Sequence, residues 1–130
     1  MSLNDPLANV MSKILMSEKS GKKEVNLSPI SKLSIKVLDI LNTNHYIGKY
    51  KKITEHSGDT LTVPLINKIN KCGVIKPRFS VKKDNFEKFE KRFLPAKDFG
   101  LIIVSTSKGI MTHKEAMENK VGGKLLAYIY

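Results

Sequence analysis

The sequence predicts an α/β fold of the α+β kind, built as two small domains. Hydrophobic residues make up 41% of a 130-residue chain, enough to core one ordinary domain or two small ones sharing an interface. Ahead of Asn67, apolar residues recur first at helical and then at alternating spacing, in the order helix, strand, helix, strand, strand. From Asn67 to Gly73 the character shifts, and Lys68, Lys71, Lys76, Arg78, Lys82 and Lys83 crowd into a short span. The expected division is therefore an N-terminal α-β-α-β-β domain over 1–67 and a mostly β domain with short helices over 68–130.

Asp5 and Pro6 open the first helix as N-cap and first helical residue. Leu7, Val10, Met11, Ile14 and Leu15 form its apolar face, which leaves Asn9, Ser12, Lys13 and Met16 towards other faces. Ser20 to Lys23 is a basic turn, and Glu24 to Leu27 a short strand with Val25 and Leu27 on one side. Ser28-Pro29 repeats the cap-then-proline pattern and starts a second helix. Its stripe is Ile30, Leu33, Val37, Leu38 and Leu41, with Ser31, Lys32 and Lys36 more polar. Tyr46–Thr54 and Thr60–Ile66 read as a hairpin turned at Ser57-Gly58-Asp59. Pro64 lacks a ladder donor, which predicts an edge strand or a bulged end. Phe86, Phe89 and Phe93 mark a short amphipathic helix stopped by Pro95, its rings read as core rather than as a stacking surface. Phe99 to Val104 is a strand leading into Ser105-Thr106-Ser107-Lys108-Gly109. Thr112-His113-Lys114-Glu115 has the form of a capping box, so the hydroxyl cluster is expected in a loop between strand and helix. Gly122-Gly123 precedes a closing strand, Leu125 to Tyr130.

The net charge of +11 points to nucleic acid, an anionic membrane or an acidic protein as partner. No run of about 18 apolar residues is present, so no membrane-spanning helix is expected, and the N-terminus lacks the layout of a signal peptide. Cys72 is the only cysteine, which excludes an intrachain disulfide and fits a reducing compartment. Catalysis finds little support. Ser105-x-x-Lys108 matches a serine-acylase pattern, but so do Ser20/Lys23 and Ser80/Lys83, and the accompanying motifs are missing. A phosphate loop of the Walker type is absent, and the three histidines and Cys72 lack zinc-ligand spacing. No cofactor, metal or small-molecule substrate is expected. The three adjacent hydroxyls of Ser105, Thr106 and Ser107 each donate and accept, and suit phosphate, ribose 2′-OH or base edges.

Asp5-Pro6-Leu7-Ala8-Asn9, Ser31-Lys32-Leu33, Tyr46-Ile47-Gly48, the Val104–Gly109 loop and Gly122-Gly123-Lys124 occur in one order that resembles the family of the eighth protein of the small ribosomal subunit. The resemblance covers essentially the whole chain. The segment from Asn70 to Phe79, with the Phe-rich helix after it, looks like the archaeal/eukaryotic branch. The resemblance implies a non-catalytic, two-domain α/β protein of the cytoplasmic ribosome. Such a protein binds the central domain of small-subunit ribosomal RNA early in assembly, beside neighbouring small-subunit proteins. It further implies that Ser105, Thr106, Ser107, Lys108 and Gly109 make the main contact, on the minor-groove side and at a distorted internal loop. Asp5, Asn9, Ser12, Lys13 and Lys32 would approach the backbone, and Gly122 and Gly123 would let the chain come close to the RNA. The alternatives are a repressor acting on its own messenger RNA and a hydrolase using Ser105. His45 and Asn67 stand where the family usually has glycine, so a positive φ is expected at both, which Asn tolerates better than His.

Overall fold

The computed structural model describes residues 6–28, 31–55, 58–96 and 99–130. Its contacts divide the chain into two compact units, residues 1–69 and 70–130. The shift in composition at Asn67 falls just before that division.

The first unit contains helix α1 (Pro6–Lys19), strand β1 (Glu24–Leu27), helix α2 (Lys32–Thr43), and strands β2 (Lys51–Glu55) and β3 (Gly58–Pro64). The strands form an antiparallel sheet in the order β1-β3-β2. Val25 and Leu27 face Val63 and Leu61 in register, so their side chains share one side. Leu7, Val10, Met11 and Ile14 of α1 and Val37, Leu38 and Leu41 of α2 are buried, as the helical spacing predicts. Leu15 and Leu33 are only half-buried.

Several boundaries differ from the sequence reading. The second helix begins at Lys32, because Ser31 is the residue whose Oγ accepts from the Ser34 backbone N–H, at 3.1 Å. Asp5, Pro29, Ile30 and Ser57 lie outside the described residues. The strand expected from Tyr46 starts only at Lys51, since the preceding residues close the α2 terminus and Ile47 makes a single bridge to Leu65. Glu55 pairs with Gly58, so Gly58 and Asp59 belong to β3 and not to the turn. Most consequentially, β3 is the central strand and not an edge. The other alternative, a bulged end, holds: between the Lys51–Thr62 pair and the Ile47–Leu65 bridge three residues stand opposite Val63 and Pro64, and the missing donor falls in that irregular stretch.

The second unit contains β4 (Cys72–Val74), β5 (Ser80–Val81), α3 (Phe86–Phe93), β6 (Leu101–Thr106), β7 (Gly109–Thr112), α4 (His113–Glu118) and β8 (Gly123–Ile129). The strand order is β4-β8-β6-β7, with β5 pairing the other end of the β8 edge that β4 uses. Ile103 faces Ala127 while Val104 faces Leu125, so Leu126 is the extra residue of a bulge. The core joins Ile75, Val81, Phe86, Leu94, Ile102, Val104, Met111, Ala116 and Leu125. Phe86 is fully buried, whereas Phe89 and Phe93 are half-buried against that core. Leu94 ends α3 ahead of Pro95, and Thr112 caps α4 by accepting from the Glu115 N–H at 3.2 Å.

Candidate nucleic-acid interface

The hydroxyl cluster is not a loop between a strand and a helix. Ser105 and Thr106 are the last residues of β6, Ser107 and Lys108 form the turn, and β7 intervenes before α4. Thr106 pairs with Gly109 across the turn. Its Oγ1 donates to Gly109 O at 2.8 Å and accepts from Lys108 N–H at 3.1 Å. The Thr106 hydroxyl therefore closes the hairpin from within. Gly109 has φ +114, and an added Cβ there would meet open space, so the glycine serves the backbone conformation alone. Ser105, Ser107, Lys108 and Gly109 are exposed.

Register extends this site across the sheet. Ser105 faces Ile110 on one side and Lys124 on the other, and Lys124 faces Ser80. Directly paired residues share a face, so Ser80, Lys124 and Ser105 form a polar row. An open groove is lined by Ser80, Val81, Lys82, Ser105, Thr106, Ser107, Gly123 and Lys124. Ser80, Lys82 and Lys124 were not assigned a role from sequence. Only the pairing of β5 and β8 brings the first two to the hairpin, and strand β5 is too short to show a period.

Gly122 and Gly123 have a packing reason of their own. A Cβ on Gly122 would collide with the Val81 carbonyl oxygen, and one on Gly123 with the Ser105 carbonyl oxygen. Both glycines thus let β8 enter the sheet between β5 and β6.

Behind the hairpin, His113 is completely buried. Its Nδ1 accepts from the Ile102 N–H at 3.1 Å, and its Nε2 lies 3.4 Å from Glu90 Oε1, beyond a well-formed hydrogen bond. One side chain so links α4, β6 and α3, the elements that hold the hairpin's base.

In the first unit, Asn9, Ser12, Lys13 and Met16 follow one another at i, i+3, i+4 and i+7 and are all exposed. They line a groove with Pro6, Val10, Leu27 and Ser28. Lys32 is the exposed first residue of α2, and the first turn of that helix holds no acidic residue. A helix start without a carboxylate, flanked by lysine, is suited to an anion. Asp5 lies outside the described residues.

Among the described residues, no group of His, Cys, Asp and Glu has the arrangement of a metal site, and no helix is long and apolar enough to cross a membrane. A model of the ribosomal protein S8 family matches residues 5–130. The chain belongs to that family. Ribosomal protein S8 is a structural component of the small subunit and not an enzyme, so the Ser105 hydrolase reading is set aside. As a family member the chain is a ribosomal protein that binds ribosomal RNA in the company of other ribosomal proteins, in the cytoplasm.

Proposed function

We propose that the chain recognises helical elements in the central domain of small-subunit RNA and supports early assembly there, with the Ser105–Gly109 hairpin as its specificity element. The observation that carries this reading is the internally closed hairpin, which holds Ser105 and Ser107 outward beside Lys108 and Lys124. Short hydroxyls fixed on a strand end can bond only an RNA surface that already has the matching shape. Lys108, like Lys13 and Lys32, meets phosphates that every RNA presents alike. Asn9 and Ser12 add hydrogen-bonding groups beside Lys13, and the family resemblance adds Asp5 to these contacts. The Asn70–Phe79 segment favours the archaeal/eukaryotic branch.

The test titrates Ser107→Ala and Lys108→Ala proteins against a central-domain fragment and a scrambled hairpin, after circular dichroism has shown both to be folded. Ser107→Ala is expected to cost about 0.5–1.5 kcal/mol with the central-domain fragment alone. Lys108→Ala is expected to weaken both RNAs by similar factors. An equal effect of Ser107→Ala on both RNAs, or none, removes the hairpin from the role of specificity element.

A further inference from the structure

A second surface of the C-terminal unit combines cations with aromatic rings. The Arg92 guanidinium lies 4.9 Å from the Phe79 ring centroid and 5.4 Å from that of Phe93. Phe79 and Phe89 are tilted neighbours with centroids 5.6 Å apart, and Lys88 Nζ stands 5.9 Å over Phe89. Lys88 and Arg92 are exposed and one helical turn apart on α3, while Phe79 and Phe89 are half-buried. None of these residues lines the hairpin groove.

The choice of cation is informative. The chain has 21 lysines and only two arginines, Arg78 and Arg92. Arg78 precedes Phe79, and Arg92 lies over it. Lysine suffices for a solvated surface charge, whereas a planar, weakly hydrated guanidinium stacks on rings and presents a fixed fork of donors. With its Cζ over the Phe79 and Phe93 rings, Arg92 is still exposed, and it makes no ion pair among the described residues. The N–H edge of a guanidinium matches a phosphate in bidentate fashion.

We propose that this strip is a second RNA-binding surface, which takes an unpaired RNA segment. Arg92, Arg78 and Lys88 hold its phosphates, and a base lies against the open parts of Phe79 and Phe89. Duplex RNA keeps its base faces in its own stack and cannot use the rings. An acidic peptide would neutralise the cations and leave the rings without an aromatic counterpart. The surface goes beyond the hairpin reading, and its test is separable from it.

Wild-type, Arg92→Lys and Arg78→Gln proteins would be titrated with a short unstructured oligouridylate and with a fully paired hairpin. The same oligouridylate carrying 5-iodouridine would be photo-crosslinked to wild-type protein. Arg92→Lys keeps the charge, so its expected loss of about tenfold on the oligouridylate reports the planar fork. Affinity for the paired hairpin is expected to change by less than about twofold, and the crosslink to fall between Lys76 and Phe93. Arg78→Gln, at an exposed loop residue, removes a charge and is expected to weaken both RNAs, the oligouridylate several-fold more than the paired hairpin. Equal losses on both RNAs, no loss on the oligouridylate, or a crosslink confined to the Ser105–Gly109 hairpin would each overturn the proposal. So would variants that bind both RNAs normally and fail only to join small subunits, because the strip would then serve a protein neighbour.

Discussion

His45 occupies a backbone conformation that favours glycine. Its φ is +64, and it follows the C-cap of α2, where its N–H donates to Asn42 O at 3.1 Å and the Tyr46 N–H to Leu41 O at 2.9 Å. This is a Schellman ending. The helix α1 ends in the same way at Gly21 (φ +75), and α4 at Lys120 (φ +56). A side chain in the left-handed region costs about 1–2 kcal/mol, and glycine returns about 0.4–1 kcal/mol of that through the unfolded chain. His45→Gly is therefore expected to stabilise by roughly 0.5–1 kcal/mol in urea unfolding, and Gly21→Ala, whose Cβ would meet nothing, to destabilise by a similar amount. A loss of stability in His45→Gly would mean that the imidazole makes a contact of greater worth. Asn67, with φ +60, bears out the other expected position. At Lys120 the sequence shows no glycine, and its one stop signal, Asn119, marks the C-cap and not the left-handed residue after it. Glu18 is a second residue under local tension. Burial pushes its carboxyl above the usual 4.5, the backbone N–H groups of Asn67 and Ile69 pull it partly back, and Oε2 has no partner. The folded state then holds the proton more tightly than the unfolded one. Its contribution to stability is full below pH 4.5 and falls as pH rises through the elevated folded value. Glu18→Gln keeps an acceptor for both N–H groups. It is expected to equal or exceed wild type in stability at pH 7, with the difference shrinking as pH falls towards 4.5. Chemical unfolding of both proteins across that range decides it, and a variant less stable at pH 7 would count against a desolvation cost.

At the level of elements, α3 tests how a helical stripe divides between core and surface. Phe86 is 0% exposed, whereas Phe89 and Phe93 border the core. Phe86→Ala is expected to cost about 3–5 kcal/mol and Phe89→Ala distinctly less, near 1–2 kcal/mol. Equal losses would show that Phe89 is as deeply packed as Phe86. The helices were legible for different reasons: α1 and α2 carry long apolar periods, α3 is stopped at Leu94-Pro95, and the six-residue α4 was marked by its Thr112 cap alone. Strands β4, β5 and β7 were not: Cys72–Val74 and Ser80–Val81 are shorter than a recognisable alternation, and Gly109–Thr112, though as long as β1, lies between the hydroxyl cluster and the Thr112 cap, where the sequence reads as a loop entering a helix. The hairpin at Ser107-Lys108 was missed for a related reason. Its glycine follows the two central residues, as in a type I turn closed by a glycine bulge, and the familiar Asn-Gly signal is absent. The exposure of Ser105, Ser107 and Lys108 could be read locally. The internal use of the Thr106 hydroxyl and the recruitment of Ser80, Lys82 and Lys124 could not, because they depend on turn geometry and cross-strand register.

For the whole molecule, charge and shape act on RNA through different observables. The chain carries +11, and its cations are spread over both units: Lys13 and Lys32 in the first, Lys82, Lys108 and Lys124 in the second. Each phosphate neutralised releases counterions and contributes a slope of roughly −0.7 to −0.9 in log K against log salt. Binding of the full chain to a central-domain fragment is thus expected to weaken steeply between low and physiological ionic strength. Lys13→Ala with Lys32→Ala should make that slope shallower by about 2. The reduction should be the same for the central-domain fragment and for an unrelated hairpin, because neither lysine reads sequence. Ser107→Ala removes no charge, so it should shift the central-domain line downward while leaving its slope unchanged. The two kinds of variant therefore move two independent features of one plot, its slope and its intercept. Filter-binding or anisotropy titrations at four or five salt concentrations measure both. A flat line for wild type would remove phosphate neutralisation as the source of affinity. A change of slope in Ser107→Ala would show that the hydroxyl acts by placing Lys108 and not by its own hydrogen bond.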